Sequence, residues 1–152
     1  VLKHIEEYKS SIVILHCTTA YPCPPNEACL DEITRYSKIF SEHKIGFSHH
    51  TEGRLAACCA SFSGATIFEK HITMDINLEG PDHAASCPID KFSDYIDAIM
   101  LGDLYSAGEK NALTTTERSN MKVARRSYHQ SKDETERSFK RPYDGVSAYI
   151  EK

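Results

Sequence analysis

The chain has 152 residues, with 18 Lys and Arg against 22 Asp and Glu and a formal net charge of −4. That balance argues against a nucleic-acid partner or an anionic membrane surface, both of which call for basic patches. Only 40% of the residues are hydrophobic and mean hydropathy is −0.46, a lean supply for a closed core where roughly 45–50% is usual. No run approaches the roughly 18–20 apolar residues of a membrane-spanning helix, and the expected location is the cytoplasm. The opening Val1-Leu2-Lys3-His4 carries neither a signal-peptide pattern nor an initiating Met, so the chain is expected to begin inside a longer protein. Six cysteines occur without a Cys-x-x-Cys pair, and Cys58 and Cys59 are adjacent. Such spacing suits reduced, buried thiols better than a disulfide framework or a zinc site.

In chain order, residues 1–9 read as the tail of an amphipathic helix, with Leu2, Ile5 and Tyr8 at helical spacing. Residues 12–15 are a continuous apolar, β-rich run ending in His16-Cys17-Thr18-Thr19, the pattern of a buried parallel strand. Tyr21-Pro22-Cys23-Pro24-Pro25 is an extended loop. A helix is expected over about 26–42, with Cys29, Ile33, Tyr36 and Phe40 on one face, and a second strand over 44–48 that runs into His49-His50-Thr51. The next helix opens at Glu52 or Gly53 and stops at Ser63-Gly64, a good C-cap. The third strand is read as 65–68, ending in Glu69-Lys70-His71. After the Gly80-Pro81 turn a helix spans 88–107, with Phe92, Tyr95, Ile96, Ile99 and Met100 as its apolar stripe. From Gly108 onward the chain is polar and weakly periodic, and 108–139 reads as a linker.

Alternating helices and strands predict a parallel sheet with helical crossovers. Three strands leave open edges, so the pattern is that of part of a larger β/α barrel. In such a barrel the C-terminal strand ends converge on one face. They carry His16 to Tyr21, Ser48 to Thr51 and Glu69 to Thr73. His50 and His71 could together hold one divalent ion with water or substrate in the open positions; Mn²⁺, Mg²⁺, Co²⁺ and Zn²⁺ all suit, and two imidazoles do not choose among them. Glu69 and Asp82 supply carboxylates for proton transfer or for orienting hydroxyls. The same residue types also serve structural roles: Tyr21 packing its loop, Ser48 capping a turn, Asp82 as a turn residue, and His16, His49 and His83 as hydrogen-bonded supports.

Five segments, in order, resemble the sialic acid synthase family. These are Leu15-His16-Cys17-Thr18-Thr19-Ala20-Tyr21-Pro22, Gly46-Phe47-Ser48-His49-His50-Thr51, and Glu69-Lys70-His71-Ile72-Thr73 with Gly80-Pro81-Asp82-His83-Ala84-Ala85-Ser86. Val123-Ala124-Arg125-Arg126-Ser127 resembles the segment after that family's barrel, and Lys140-Arg141-Pro142 with Asp144-Gly145 resembles its C-terminal antifreeze-like domain.

The resemblance implies an α/β fold: the last three β/α units of a TIM (β/α)₈ barrel over 1–107, the linker, and a remnant of the antifreeze-like domain over 140–152. It implies condensation of phosphoenolpyruvate with N-acetylmannosamine or its 6-phosphate, with release of phosphate. By resemblance His50 and His71 are the metal ligands, with Mn²⁺ expected and Mg²⁺ or Co²⁺ as alternatives. Glu69 and Asp82 are the catalytic carboxylates. Ser48 and Thr19 face the phosphate, Tyr21 lines the sugar region, and Arg141 reaches the sugar's N-acetyl group in the partner subunit of a homodimer.

Several features depart from the family pattern. The glutamate and lysines of its first half-barrel have no counterpart here, Thr19 stands where Asn or Ser is usual, and Tyr143 replaces a Gly. The chain alone is therefore expected to be inactive unless another polypeptide completes the barrel. Legionaminic, pseudaminic and spore-coat synthases share these motifs, and a non-catalytic fragment or divergent paralogue is the competing expectation.

Overall fold

Three short runs pair into one parallel sheet in the computed structural model, which describes residues 12–108, 113–124, 127–130 and 137–140. The strands are β1 (Val13–Cys17), β2 (Lys44–His49) and β3 (Ile67–Lys70), in the order β1-β2-β3. Register pairs Cys17 with Ser48 and Ser48 with Glu69. The helices α1 (Asp31–Ile39), α2 (Leu55–Phe62) and α3 (Phe92–Ser106) follow the three strands. Two short strands, β4 (Ile72–Thr73) and β5 (Cys87–Pro88), pair in parallel above β3 and tie the start of α3 to its end.

Strand alternation divides this sheet into two faces. Ile45 and Phe47 of β2 point towards the helices and pack with Ile33, Ala60 and Ala65 in the buried core. Val13 and Leu15 of β1 lie on the other face, each 37% exposed. Gly46 sits there too, where a Cβ would collide with the Leu15 side chain and the Ile67 carbonyl, so the strands approach too closely for any side chain. A second core joins Ala57, Cys87 and Tyr95. Helices α2 and α3 meet through small residues: a Cβ on Gly102 would overlap the Cys58 carbonyl and lie 2.8 Å from Ser61 Cβ.

Several element boundaries differ from the sequence reading. The helix expected over 26–42 is a 3-10 turn at Pro25–Glu27, then Cys29 with φ 46°, then α1. Two prolines begin the turn and the left-handed Cys29 separates it from the helix. The third strand lies two residues further along than 65–68 because Glu69 and Lys70 both find partners inside the sheet. Helix α2 begins at Leu55, two residues past Gly53 (φ 71°) rather than at Glu52 or Gly53, and closes on Ser63-Gly64 (Gly64 φ 103°) as expected. Its end is a Schellman cap: Ala65 N–H donates to Ala60 O at 3.0 Å and Gly64 N–H to Ser61 O at 2.9 Å. On α3 the buried residues are Tyr95, Ala98 and Gly102, whereas Ile96 and Met100 of the expected stripe are 40% and 64% exposed. The close approach of α2 selects small residues for that face.

The chain divides into two units after Gly108. In the second, within the stretch read as linker, α4 (Thr115–Ala124) is a helix, and β6 (Ser127–Gln130) pairs antiparallel with β7 (Arg137–Lys140). A reciprocal capping box starts α4: Thr114 N–H donates to Glu117 Oε2 at 2.7 Å and Glu117 N–H to Thr114 Oγ1 at 3.1 Å. The helix read over 1–9 and the antifreeze-like remnant, apart from Lys140 in β7, lie outside the described residues, as does Arg141.

Candidate active site

The polar ends of β2 and β3 bring four of the expected residues together. Ser48 and Glu69 are register partners, and the buried Ser48 hydroxyl donates to Glu69 Oε2. With its one proton committed there, Ser48 Oγ accepts from His50 Nε2, 3.0 Å away. His50 is buried and its ring stands edge-to-face with His71, centroids 5.4 Å apart. Burial pushes the His50 imidazole below its ordinary value, with the Glu69 carboxylate opposing. The neutral ring is the form that binds a metal ion.

His71 stands between two carboxylates. Its Nε2 is 3.9 Å from Glu69 Oε1 and its Nδ1 is 3.9 Å from Asp82 Oδ2, distances of charge neighbours rather than hydrogen bonds. Tyr21 covers the pair, its ring centroid 4.3 Å from that of His50 and 6.0 Å from that of His71. The backbone holds both histidines: Cys23 N–H donates to His50 O and Cys87 N–H to His71 O, each at 2.8 Å. Thr19, two residues beyond the end of β1, is exposed at the mouth of the same edge.

Behind this face lies a second set of polar residues. His49 is fully buried, stacked between Phe47 and Tyr95, with Nδ1 3.2 Å from the Tyr95 hydroxyl and Nε2 hydrogen-bonded with Thr51 Oγ1. Burial, with Lys70 and His50 nearby, lowers its pKa to about 3, so it is neutral. Lys70 Nζ donates to Thr51 O at 2.9 Å and to Ala85 O at 3.3 Å, and burial lowers its pKa as well. His16 is buried on the same side, its Nε2 donating to Ala28 O at 2.7 Å. His83 Nδ1 is 2.7 Å from Thr73 Oγ1. The sequence reading has His16, His49 and His83 as hydrogen-bonded supports and does not single out Lys70. For Lys70 a signal existed: a cation between Glu69 and His71 must, by strand alternation, point away from them.

A cleft of about 590 Å³ opens along Lys70, Arg54, Lys91 and Tyr95. It is lined by neither imidazole, nor by Glu69 or Asp82. The candidate site residues converge instead on the open front of the sheet.

Comparison with known proteins decides the lineage. The NeuB family profile matches residues 1–109. The chain belongs to the NeuB family. Among NeuB relatives, it is 34% identical over 149 residues to the N,N'-diacetyllegionaminic acid synthase of Campylobacter jejuni, covering 92% of this chain and 44% of that protein. It is 39% identical over 94 residues to the spore coat polysaccharide biosynthesis protein SpsE of Bacillus subtilis, covering 61% of this chain and 25% of that protein. Its fold matches the crystal structure of N-acetylneuraminic acid synthetase from Leptospira borgpetersenii with a TM-score of 0.67 and 27% identity, over 79% of this chain and 42% of that one. The chain thus spans less than half the length of these proteins.

Proposed function

We propose that the chain carries the metal- and sugar-facing side of a NeuB-type synthase site, in the last three β/α units of a (β/α)₈ barrel. The reaction is condensation of phosphoenolpyruvate with an open-chain N-acetylated sugar aldehyde, N-acetylmannosamine or its 6-phosphate, with release of phosphate. The observation that carries this reading is the approach of His50 and His71, with Glu69 and Asp82 each 3.9 Å from His71.

The donor set fits a catalytic divalent ion. Among the described residues no group of three or more His, Cys, Asp or Glu is placed to hold a metal ion; the two imidazoles would supply two ligands, with water or substrate in the remaining positions. Mn²⁺ is the proposed ion, with Mg²⁺ or Co²⁺ able to substitute. When bound, it supplies Lewis-acid polarisation of the aldehyde oxygen. The protein's own groups do the rest. Glu69, held by Ser48, orients sugar hydroxyls. Asp82 takes or gives the proton at the hydroxyl that forms. Tyr21 shields the pair from water, and Ser48 and Thr19 face the phosphate. Attack of the enol carbon on the aldehyde carbon forms the new C–C bond; water then adds to the resulting oxocarbenium carbon, and C–O cleavage expels phosphate.

By family resemblance, Arg141 reaches the sugar from the antifreeze-like segment of a partner subunit, and the enzyme works in the cytoplasm. Among the described residues no helix is long and apolar enough to cross a membrane.

Two measurements test the reading. Mn²⁺ titration into the chain and into His50→Ala and His71→Ala is expected to show binding lost in both variants; unchanged binding overturns the metal assignment. A chimera placing residues 12–108 in the corresponding segment of the Leptospira synthetase is expected to release phosphate only with both phosphoenolpyruvate and the sugar. Phosphate release that ignores the sugar would sink the condensation.

A further inference from the structure

Lys70 lies between two site residues in sequence yet points away from them. Glu69 on β3 and His71 just past its end share the front face, and strand alternation sends the side chain between them to the back. There Lys70 is partly buried beside the cleft, with Glu52 and Glu69 among the charges near it but, among the described residues, no ion pair to either. A partly desolvated ammonium with no ion pair is costly unless its protons are well accepted. Here the acceptors are two backbone carbonyls, of Thr51 at 2.9 Å and Ala85 at 3.3 Å.

Those carbonyls belong to two separate segments. Thr51 directly follows His50, and its hydroxyl is independently tied to His49. Ala85 closes the 3-10 turn His83–Ala85 that Asp82 begins, its N–H donating to Asp82 O at 3.2 Å, while Ser86 Oγ donates to the same carbonyl at 2.6 Å. One side chain thus bridges the segment that presents His50 and the turn that presents Asp82.

We infer that Lys70 is a positioning residue: its ammonium clamps the Thr51 and Ala85 carbonyls and so fixes His50 and Asp82 on either side of His71. The inference rests on the reading of those three residues as the site. A lysine is suited to the task because its ammonium offers three donors at a point and can serve diverging carbonyls.

The test compares the chain with Lys70→Met, which keeps the apolar stem but has no donor, and Lys70→Arg, which restores donors. Hydrogen exchange is followed in residues 49–53 and 82–87, with α1 as reference, alongside Mn²⁺ titration. In Lys70→Met, exchange in the two segments is expected to rise roughly tenfold, as for loss of a hydrogen bond to a charged group, with α1 unchanged. Mn²⁺ affinity is expected to fall by about tenfold or more, the usual effect of losing a support behind a ligand, and Lys70→Arg restores both. Unchanged exchange in the two segments, or an equal rise across α1, overturns the inference. Should the parent chain show no histidine-dependent Mn²⁺ binding, the metal reading fails, and the exchange pattern and its rescue by Arg still decide the role of Lys70.

Discussion

Ser48 and Glu69 occupy paired positions on neighbouring parallel strands, and the serine hydroxyl donates its hydrogen bond to the carboxylate. The link makes Glu69, Ser48 and His50 one connected unit rather than three independent side chains. Ser48→Ala cuts it at the centre. Mn²⁺ affinity is expected to fall about tenfold, since an oriented imidazole loses its support. Isothermal titration with the parent and variant chains measures this; equal affinities would mean that His50 is held by packing alone.

His49 makes stability pH-dependent. Its pKa falls from 6.5 to about 3 on folding, so the unfolded chain takes up the proton first as pH drops. The neutral ring's contribution is complete above about 6.5 and is lost between there and about 3, at up to roughly 1.4 kcal/mol per pH unit. The groups facing it are the Lys70 ammonium, the His50 ring, and the Tyr95 and Thr51 hydroxyls. His49→Phe keeps the stacking on Phe47 and Tyr95 but cannot titrate. Melting temperature plotted against pH is expected to fall less steeply below 6.5 in that variant; parallel curves would contradict the assignment.

Gly102→Ala tests the contact between α2 and α3. The added methyl meets the Cys58 carbonyl, which cannot rotate away. A loss of about 1–3 kcal/mol is expected, the usual effect of overpacking, read as a lowered urea midpoint. Gly108→Ala, with open space around it, serves as the control.

Thiol reactivity should divide the cysteines. Cys17, Cys29 and Cys59 are exposed, whereas Cys23 and Cys87 are buried, and burial raises both of their pKa values. Alkylation of the native chain followed by peptide mapping is expected to label the first three rapidly and the latter two only on unfolding. Rapid labelling of Cys87 would show that the β4–β5 pairing opens readily.

Much of the candidate site was legible in the sequence because polar residues at the ends of apolar runs are conspicuous. His50, His71, Glu69 and Asp82 could be named without coordinates. What escaped was the support behind them. Charged Glu69 and Lys70 read as the end of a strand, since pattern alone cannot show that a serine and two carbonyls await them across the sheet. Helix α1 begins late because Cys29 adopts a left-handed conformation, which its residue type does not signal. Ile96 and Met100 read as core by hydrophobicity, whereas the tight approach of α2 gives that role to Ala98 and Gly102.

The strict alternation along β2 and into His50 has a consequence for how this segment tolerates change. Phe47 and His49 serve the interior, while Ser48 and His50 serve the polar front that carries the candidate site. Substitution at one face leaves the other in phase. Insertion or deletion of a single residue between Gly46 and Thr51 does not, because it exchanges the two sets wholesale. Length in this short segment is therefore more tightly constrained than residue identity: replacements keep both faces in phase, whereas a one-residue insertion or deletion does not.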